Sequence, residues 1–514
     1  MGKDMLEMNK KKLGKVYLVG GGPGDPQLIT VKAVNCIRKA DVVIYDCLID
    51  KELLDYSKVD AELIFAGKHN KLHVISQNEI NKLILKKSKE GKNVVRLKGG
   101  DPYLLARGSE EALYLAKYKI PFEVIPGVSS AMAVPNYAGI PLTQRGISSL
   151  VTIITGHEDP SKKNSAINWK ALAQQKGTLV ILMGVENLSL IIDKLISYGK
   201  EKNTPIAVIR WGTTSEQKTV VGTLQNIIDK VKEEKIKPPC VIVMGKVVNL
   251  RKKLNWKEEK PLFGKRILVT RSREQASKFS ELLKNYGATP MEYPLIKMIP
   301  VEGYEDLDSK INNLSKYDWV IFTSVCGVKY FLRRLLNLGK DIRELKGIKI
   351  AAIGLKTAQE IVRYGILVDL VPEKFVEEAI ISCFKDIDLK NKNILLPRAK
   401  KARRILAEEL QKRGAFVDEV ACYETVKENG NKDELKRMLK KKEIDIITFT
   451  SSSTVKNFFR DFKECNQGSL KVACIGPITA KTAQDLKIRV DMISPVHTIE
   501  GLAEEIANNY DRNN

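Results

Sequence analysis

Three turns in the first half of this chain have the composition to hold a ligand against the backbone. The run KVYLVG, Lys15–Gly20, leads into Gly20-Gly21-Gly22-Pro23-Gly24-Asp25-Pro26. NVVRLK is followed by Gly99-Gly100-Asp101-Pro102, and FEVI by Pro126-Gly127-Val128-Ser129-Ser130. Glycine permits close backbone approach, the Asp101 carboxylate can accept hydrogen bonds from amino or hydroxyl groups, and Ser129 and Ser130 add small donors at a helix start. The first turn is not a dinucleotide fingerprint, because Pro23 and Pro26 break the G-x-G-x-x-G spacing and remove N–H groups that would meet a pyrophosphate. Taken singly, each turn reads as a tight turn with an N-cap; together, three such turns after three strands converge on a small-molecule site.

In the second half, two FTS turns (Phe322-Thr323-Ser324 and Phe449-Thr450-Ser451), two IG turns (Ile353-Gly354 and Ile475-Gly476) and the arginine of LLPR, Arg398, fall where strands end. The carboxyl ends of parallel strands are the usual place for ligands in α/β folds.

These turns need strands and helices to carry them, and the sequence supplies an α/β pattern. Short β-branched runs (Lys15–Gly20, Val42–Tyr45, Asn93–Lys98, Val151–Thr155, Thr178–Leu182, Ile206–Arg210, Cys240–Met244) alternate with helical lengths. At 514 residues the chain exceeds what one hydrophobic core usually holds. The charged stretch RKKLNWKEEKP, Arg251–Pro261, suits a boundary. The expected division is a leader over 1–13, a first domain over 14–250, a linker over 251–262, a second domain over 263–510 and a short tail over 511–514.

The second domain carries an internal repeat. KRILVTRSREQASKFSELLKNYGA from Lys265 answers to KNILLPRAKKARRILAEELQKRGA from Lys392, and DWVIFTSVCGVKYFL from Asp318 to DIITFTSSSTVKNFF from Asp445. Lys265 and Lys392 stand as far apart as Phe322 and Phe449. Each repeat is expected to form its own small α/β lobe, with a cleft between the two.

Composition narrows the function classes. No apolar run is long enough to span a bilayer, and the eight scattered cysteines show neither C-x-x-C pairs nor histidine partners, so a soluble, reduced, cytoplasmic protein without a metal is expected. The formal charge of +24 favours a polyanion. Charge alone does not separate nucleic acid, a small substrate with many carboxylates and a solvated surface. With 6% aromatic residues and no RNP-like run, an RNA-directed methyltransferase with a basic binding module has little support.

From Lys15 to Asn249 the chain resembles the tetrapyrrole methyltransferase family, and within it the uroporphyrinogen-III C-methyltransferases. The resemblance is carried by VYLVGGGPGDPQLITVKA, ADVVIYDCLI, GKH with HVISQNEI, VVRLKGGDPYLLARGSEE, VIPGVSSAMAVPNYAGIPLTQRG, TGHE, LVILMG and RWGTTSEQ. It implies S-adenosylmethionine held by Pro23, Gly99, Gly100, Asp101, Leu104, Ser129, Ser130, Met183 and Gly212, with Asp46 and Lys68 in acid–base roles and a homodimer formed through this half. The chain departs from the family pattern at His69, at Leu104–Ala106 and at Gln144.

From about Phe263 to Tyr510 the chain resembles uroporphyrinogen-III synthase, through KRILVTR, IFTSVCGV, LVPEKFVEEAI, NILLPRA, VACYET, ITFTSSSTV, CIGPITAKTA and HTIEGLAEEI. That family has two α/β lobes joined by a two-stranded connection, its first strand and helix belonging to the lobe otherwise built from the C-terminal part. The resemblance implies hydroxymethylbilane as substrate, Tyr423 as the proton donor, and Arg271, Arg398, Ser451, Ser452, Thr454 and Thr479 as carboxylate-binding candidates. Together the halves imply a bifunctional enzyme serving cobalamin or sirohaem synthesis, acting on tetrapyrroles and not on nucleic acid or membrane. The rival within the resemblance is a methyltransferase with an inactive synthase-like lobe.

Overall fold

The computed structural model describes residues 13–67, 75–158, 165–271, 273–372, 377–385, 387–402, 404–428, 432–462 and 468–511. The chain divides into two compact units: Met1–Lys265 with Tyr286–Thr289, and Arg266–Asn285 with Pro290–Asn514. No helix among the described residues is long and apolar enough to cross a membrane.

The first unit contains two five-stranded sheets. Strands β1 (Val16–Gly20), β2 (Val42–Tyr45), β3 (Glu62–Phe65), β4 (Val94–Lys98) and β5 (Phe122–Ile125) form a parallel sheet in the order β3-β2-β4-β1-β5. Apolar clusters cover both faces, Leu18, Ile44 and Val94 on one and Val19, Val43 and Leu97 on the other, as expected for a parallel sheet flanked by helices. The second sheet, β6 (Val151–Thr155), β7 (Thr178–Leu182), β8 (Pro205–Arg210), β9 (Lys218–Thr223) and β10 (Cys240–Met244), has the order β6-β7-β10-β8-β9 and is antiparallel beyond its first pair. The strands that the apolar pattern leaves out, β3 and β9, are edge strands with mixed burial, where alternation is weakest.

The stretch expected as a linker is fastened to this unit. Arg251 opens a short helix and pairs with Glu258, whose carboxylate also accepts from the Gln217 amide at 2.8 Å and the Thr219 hydroxyl at 2.6 Å. The Trp256 indole N–H donates to the Asn136 carbonyl.

The second unit also has two sheets: β11 (Arg266–Val269), β12 (Thr289–Glu292), β18 (Ile446–Phe449), β19 (Lys471–Cys474) and β20 (Met492–Ile493) in the order β12-β11-β18-β19-β20, and β13 (Ile296–Pro300), β14 (Trp319–Phe322), β15 (Lys349–Ala352), β16 (Asn393–Ala399) and β17 (Phe416–Lys427) in the order β13-β17-β16-β14-β15. The expectation that each repeat folds as its own lobe is corrected here. β11, the first strand of the first repeat, pairs with β18 of the second repeat, and β16, the first strand of the second repeat, pairs with β14 of the first. The registers match under the repeat, Ile267 opposite Ile446 and Ile394 opposite Trp319. Each lobe thus takes an interior strand from the other repeat, and both strands are almost wholly buried in the exchange. The first strand and helix do lie with the C-terminal lobe, as the resemblance implies.

Candidate active sites

In the first unit, turns after five strands meet around one cleft of about 860 Å³, within the size range of small-molecule sites. The Gly22–Gly24 turn comes from the end of β1, Gly99–Asp101 from β4, Ser129 and Ser130 from the turn after β5, Met183 from β7 and Trp211–Gly212 from β8. All nine residues proposed for cofactor contact (Pro23, Gly99, Gly100, Asp101, Leu104, Ser129, Ser130, Met183 and Gly212) line this cleft, and so does Asp46. Lys68 lies outside the described residues.

Local chemistry explains the shape of the turns. Asp101 organises two of them: one carboxylate oxygen accepts from the backbone N–H of Tyr103 and Leu104, the other from Gly127 N–H at 3.1 Å. Ser129 caps the helix Ser130–Tyr137 by accepting from the Ala131 N–H. The Asp101 and Ser129 side chains therefore act first on the backbone that surrounds a ligand. Gly127 is required by close approach, since a Cβ there would fall 2.2 Å from the Gly100 carbonyl oxygen. Gly100, at φ +67°, sits in the left-handed region that glycine adopts freely. Leu105, Met183 and Trp211, all on the cleft wall, hold φ of 55°, 56° and 46° without that freedom. Such conformations cost roughly 1–3 kcal/mol each and concentrate where a ligand site is preorganised.

Asp46, at the end of β2, is the carboxylate of this cleft tied to a buried cation. The Arg96 guanidinium donates to it at 2.5 Å. Arg96 also pairs with Glu111, which accepts from Lys98 at 2.9 Å and from the Gln77 amide at 3.0 Å. Arg96, Lys98 and Glu111 are essentially buried. Burial, and then the neighbouring Arg96 charge, pulls the Lys98 pKa below its ordinary value, against the opposing pull of Glu111 and Asp46. The sequence reading missed this network because charged residues are read as surface. The signal was Arg96 and Lys98 two apart in an otherwise apolar strand, which puts both on one face. Leu105, His157, Glu186 and Trp211 line the cleft and were also missed.

In the second unit Tyr423 lies in β17, where β17 pairs antiparallel with β13 and parallel with β16. The register with β16 shifts between Arg398 and Ala399, so that Ala399 faces Tyr423. Irregularities of this kind re-aim a side chain. The Tyr423 ring stacks on Tyr330 at 5.6 Å, and its hydroxyl lies 3.1 Å from the Ser324 hydroxyl. Ser324 is the N-cap of the helix Val325–Asn337 in the first FTS turn, a turn legible at a strand end in the sequence although the serine itself was given no role there. Burial pushes the Tyr423 phenol above its ordinary pKa, outweighing the opposite pull of Ser324 and Arg398.

The structure separates the other candidates. Arg398 is buried beside Tyr423's strand and pairs with Glu419 at 2.8 Å, so its charge is already engaged. Arg271, just past β11, is largely desolvated, which lowers its pKa, while Glu500 acts in the opposite direction. Ser451, Ser452, Thr454 and Thr479 gather at the ends of β18 and β19. There the Ser452 and Thr482 hydroxyls share a hydrogen bond, Ser451 accepts from Thr454 N–H, and Thr454 and Thr479 are buried. The contacts of these four lie on the sheet that does not contain Tyr423.

Comparison with known proteins assigns each half. The model of the tetrapyrrole (corrin/porphyrin) methylases matches residues 15–228, and that of uroporphyrinogen-III synthase HemD matches residues 277–504. The porphyrin biosynthesis protein HemD of Ruminiclostridium josui is 38% identical over 493 residues, covering 96% of this chain and 97% of that protein. A uroporphyrinogen-III C-methyltransferase of Methanocaldococcus jannaschii is 52% identical over 238 residues, 46% of this chain and 98% of the relative. Among solved structures, the uroporphyrin-III C-methyltransferase of Thermus thermophilus complexed with S-adenyl homocysteine is 35% identical, covers 46% of this chain and all of its own, and has a TM-score of 0.40.

Proposed function

The chain belongs to the tetrapyrrole methylase and uroporphyrinogen-III synthase families, joined in one polypeptide, and on that premise we propose that it converts hydroxymethylbilane to uroporphyrinogen III in its second unit and methylates that product twice in its first, giving precorrin-2. The observation that carries the reading is the convergence of turns from five strands on one cleft, with the Asp46 carboxylate held at its wall by a buried arginine.

S-adenosylmethionine, when bound, supplies a methyl group on a positively charged sulfur. The cleft fits such a group: it has the volume, its turns present backbone made accessible by glycine, and its wall carries an anion. Pro23, Gly99, Gly100, Leu104, Met183 and Gly212 would border the cofactor, with Asp101, Ser129 and Ser130 shaping and closing the turns around it. Methyl transfer to an electron-rich pyrrole carbon is chiefly a matter of alignment. The pyrrole becomes cationic as it gains the methyl, and Asp46 would stabilise that charge and take the proton then lost. Lys68 would donate a proton or pair with a substrate carboxylate.

In the second unit the substrate is a linear tetrapyrrole with eight carboxylates, and the chain's net charge of +24 draws such an anion. Tyr423 delivers its phenolic proton to the departing hydroxyl, which leaves as water. The azafulvene cation so formed closes at the substituted carbon of the last pyrrole, fragments and recloses with that ring inverted, losing a proton at the end. Arg271, Ser451, Ser452 and Thr479 would hold carboxylates. Arg398, engaged by Glu419, and Thr454, whose hydroxyl donates to the Ser451 carbonyl, would support the site from beneath. The same reading takes the working protein as a homodimer through its first unit, which sedimentation would check.

The test is anaerobic incubation of the purified chain with hydroxymethylbilane, with and without S-adenosylmethionine. Type-III uroporphyrinogen alone and a doubly methylated product with the cofactor are expected. Type-I porphyrinogen without methylation would refute both assignments; type-I porphyrinogen together with methylation of added uroporphyrinogen III would leave the second unit an inactive lobe.

A further inference from the structure

We infer that Arg96 is a positioning residue for methyl transfer: it fixes the direction of the Asp46 carboxylate in the cleft and is itself held from behind by Glu111. The inference rests on the reading that Asp46 takes part in the reaction.

Arg96 and Lys98 stand two apart on β4 and so project from the same face of the sheet. The guanidinium spends its N–H groups on several elements at once: Nε on Glu111 at 3.1 Å, Nη1 on the carbonyls of Ile44 and Leu97, and Nη2 on Asp46 at 2.5 Å. It therefore has no rotational freedom left. Glu111, on the helix Gly108–Lys117, receives Arg96, Lys98 and Gln77 on a single oxygen, Oε1. Its other oxygen has no hydrogen-bond partner among the described residues.

Two buried cations and two carboxylates balance in charge, yet ion groups of this kind cost more to desolvate than an apolar core of the same volume. Such a network is better explained by what it orients than by what it stabilises. Only one of its four charged members reaches the cleft. The Asp46 side chain is 26% exposed, whereas those of Arg96, Lys98 and Glu111 are 2%, 3% and 0% exposed. The network thus starts in the core and ends on a carboxylate that lines the cleft. A planar fork can fix the direction of a carboxylate where a lysine ammonium, a rotatable point charge, cannot.

The experiment uses the full chain and follows methylation of uroporphyrinogen III in R96K, E111Q, D46N and R96K/D46N, with rates normalised to S-adenosylmethionine sites counted by equilibrium dialysis. R96K is expected to lower kcat on the order of 10- to 100-fold, the range for a small misplacement of a reacting group, with KM for S-adenosylmethionine within about two-fold of wild type. The double variant is expected to be no slower than D46N, because each change removes the same oriented carboxylate. E111Q, which keeps Arg96, is expected to show a smaller fall of the same kind, and serves where R96K does not accumulate as folded protein. If R96K and E111Q keep the wild-type kcat per cofactor site while D46N is slow, or if R96K and D46N add independently, Arg96 is only structural and the inference fails with the role of Asp46 intact. If D46N itself turns over at the wild-type rate, the reading of Asp46 fails instead.

Discussion

In the first unit the candidate catalytic group is a carboxylate at the cleft wall, anchored in a network of four charged side chains, three of them buried; in the second it is a buried phenol beside a serine hydroxyl and a stacked ring. The roles proposed for Asp46 and Tyr423 account for the difference. Methyl transfer puts positive charge on the substrate, so a fixed anion is useful, and a fixed anion near a core needs compensating cations. Loss of water needs a proton to be delivered, and a buried tyrosine is neutral while it holds that proton and becomes a phenolate on giving it up. Backbone differs in the same sense, with strained residues at Leu105, Met183 and Trp211 around the first site.

Substitutions can break this contrast, and the largest effect is expected where charge is buried. R96M leaves Glu111 and Asp46 with one cation between them, and should destabilise the first unit by about 3–5 kcal/mol, read as a lowered first transition in calorimetry. Y423F removes one hydroxyl contact, so the second unit should keep its stability within about 1 kcal/mol. Turnover of hydroxymethylbilane to the type-III isomer should nevertheless fall on the order of 100-fold, measured by isomer chromatography. G127A should cost about 1–3 kcal/mol through overlap with the Gly100 carbonyl and weaken S-adenosylmethionine binding, measured by calorimetric titration.

The smallest effect concerns pH. Burial works against the charge on Glu500, but the Lys278 hydrogen bond, a backbone N–H and Lys356 outweigh it and hold the carboxyl at about 2, below its ordinary 4.5. A depressed carboxyl contributes stability above its unfolded value, and that stability is lost as pH falls from 4.5 toward about 2. Both partners are substantially exposed, so the contribution is only about 0.2–1 kcal/mol. E500Q should therefore melt slightly below wild type near neutral pH and match it in strong acid.

The cofactor turns were legible because glycine, proline and capping residues act on their own neighbours. The seven β-branched runs all became strands for a similar reason, since strong burial leaves a strong local pattern. What the sequence hid was non-local. The exchange of β11 and β16 between repeats leaves every residue's periodicity unchanged, so only the pairing of Ile267 with Ile446 reveals it. Arg96 and Glu111 were hidden because the rule that places charge on the surface holds almost everywhere else. Arg398 was legible as a residue at a strand end but not as one already paired, since Glu419 reaches it from a neighbouring strand.

The central claim is that two separate chemistries reside in the two units, and a crossed assay of D46N and Y423F tests it most directly. Each variant is given hydroxymethylbilane with S-adenosylmethionine, and separately uroporphyrinogen III with S-adenosylmethionine. D46N should form type-III uroporphyrinogen at the wild-type rate and methylate neither supply well, whereas Y423F should be slow to form the type-III isomer yet methylate supplied uroporphyrinogen III normally. Loss of both activities in either variant, or of neither in both, would contradict the account.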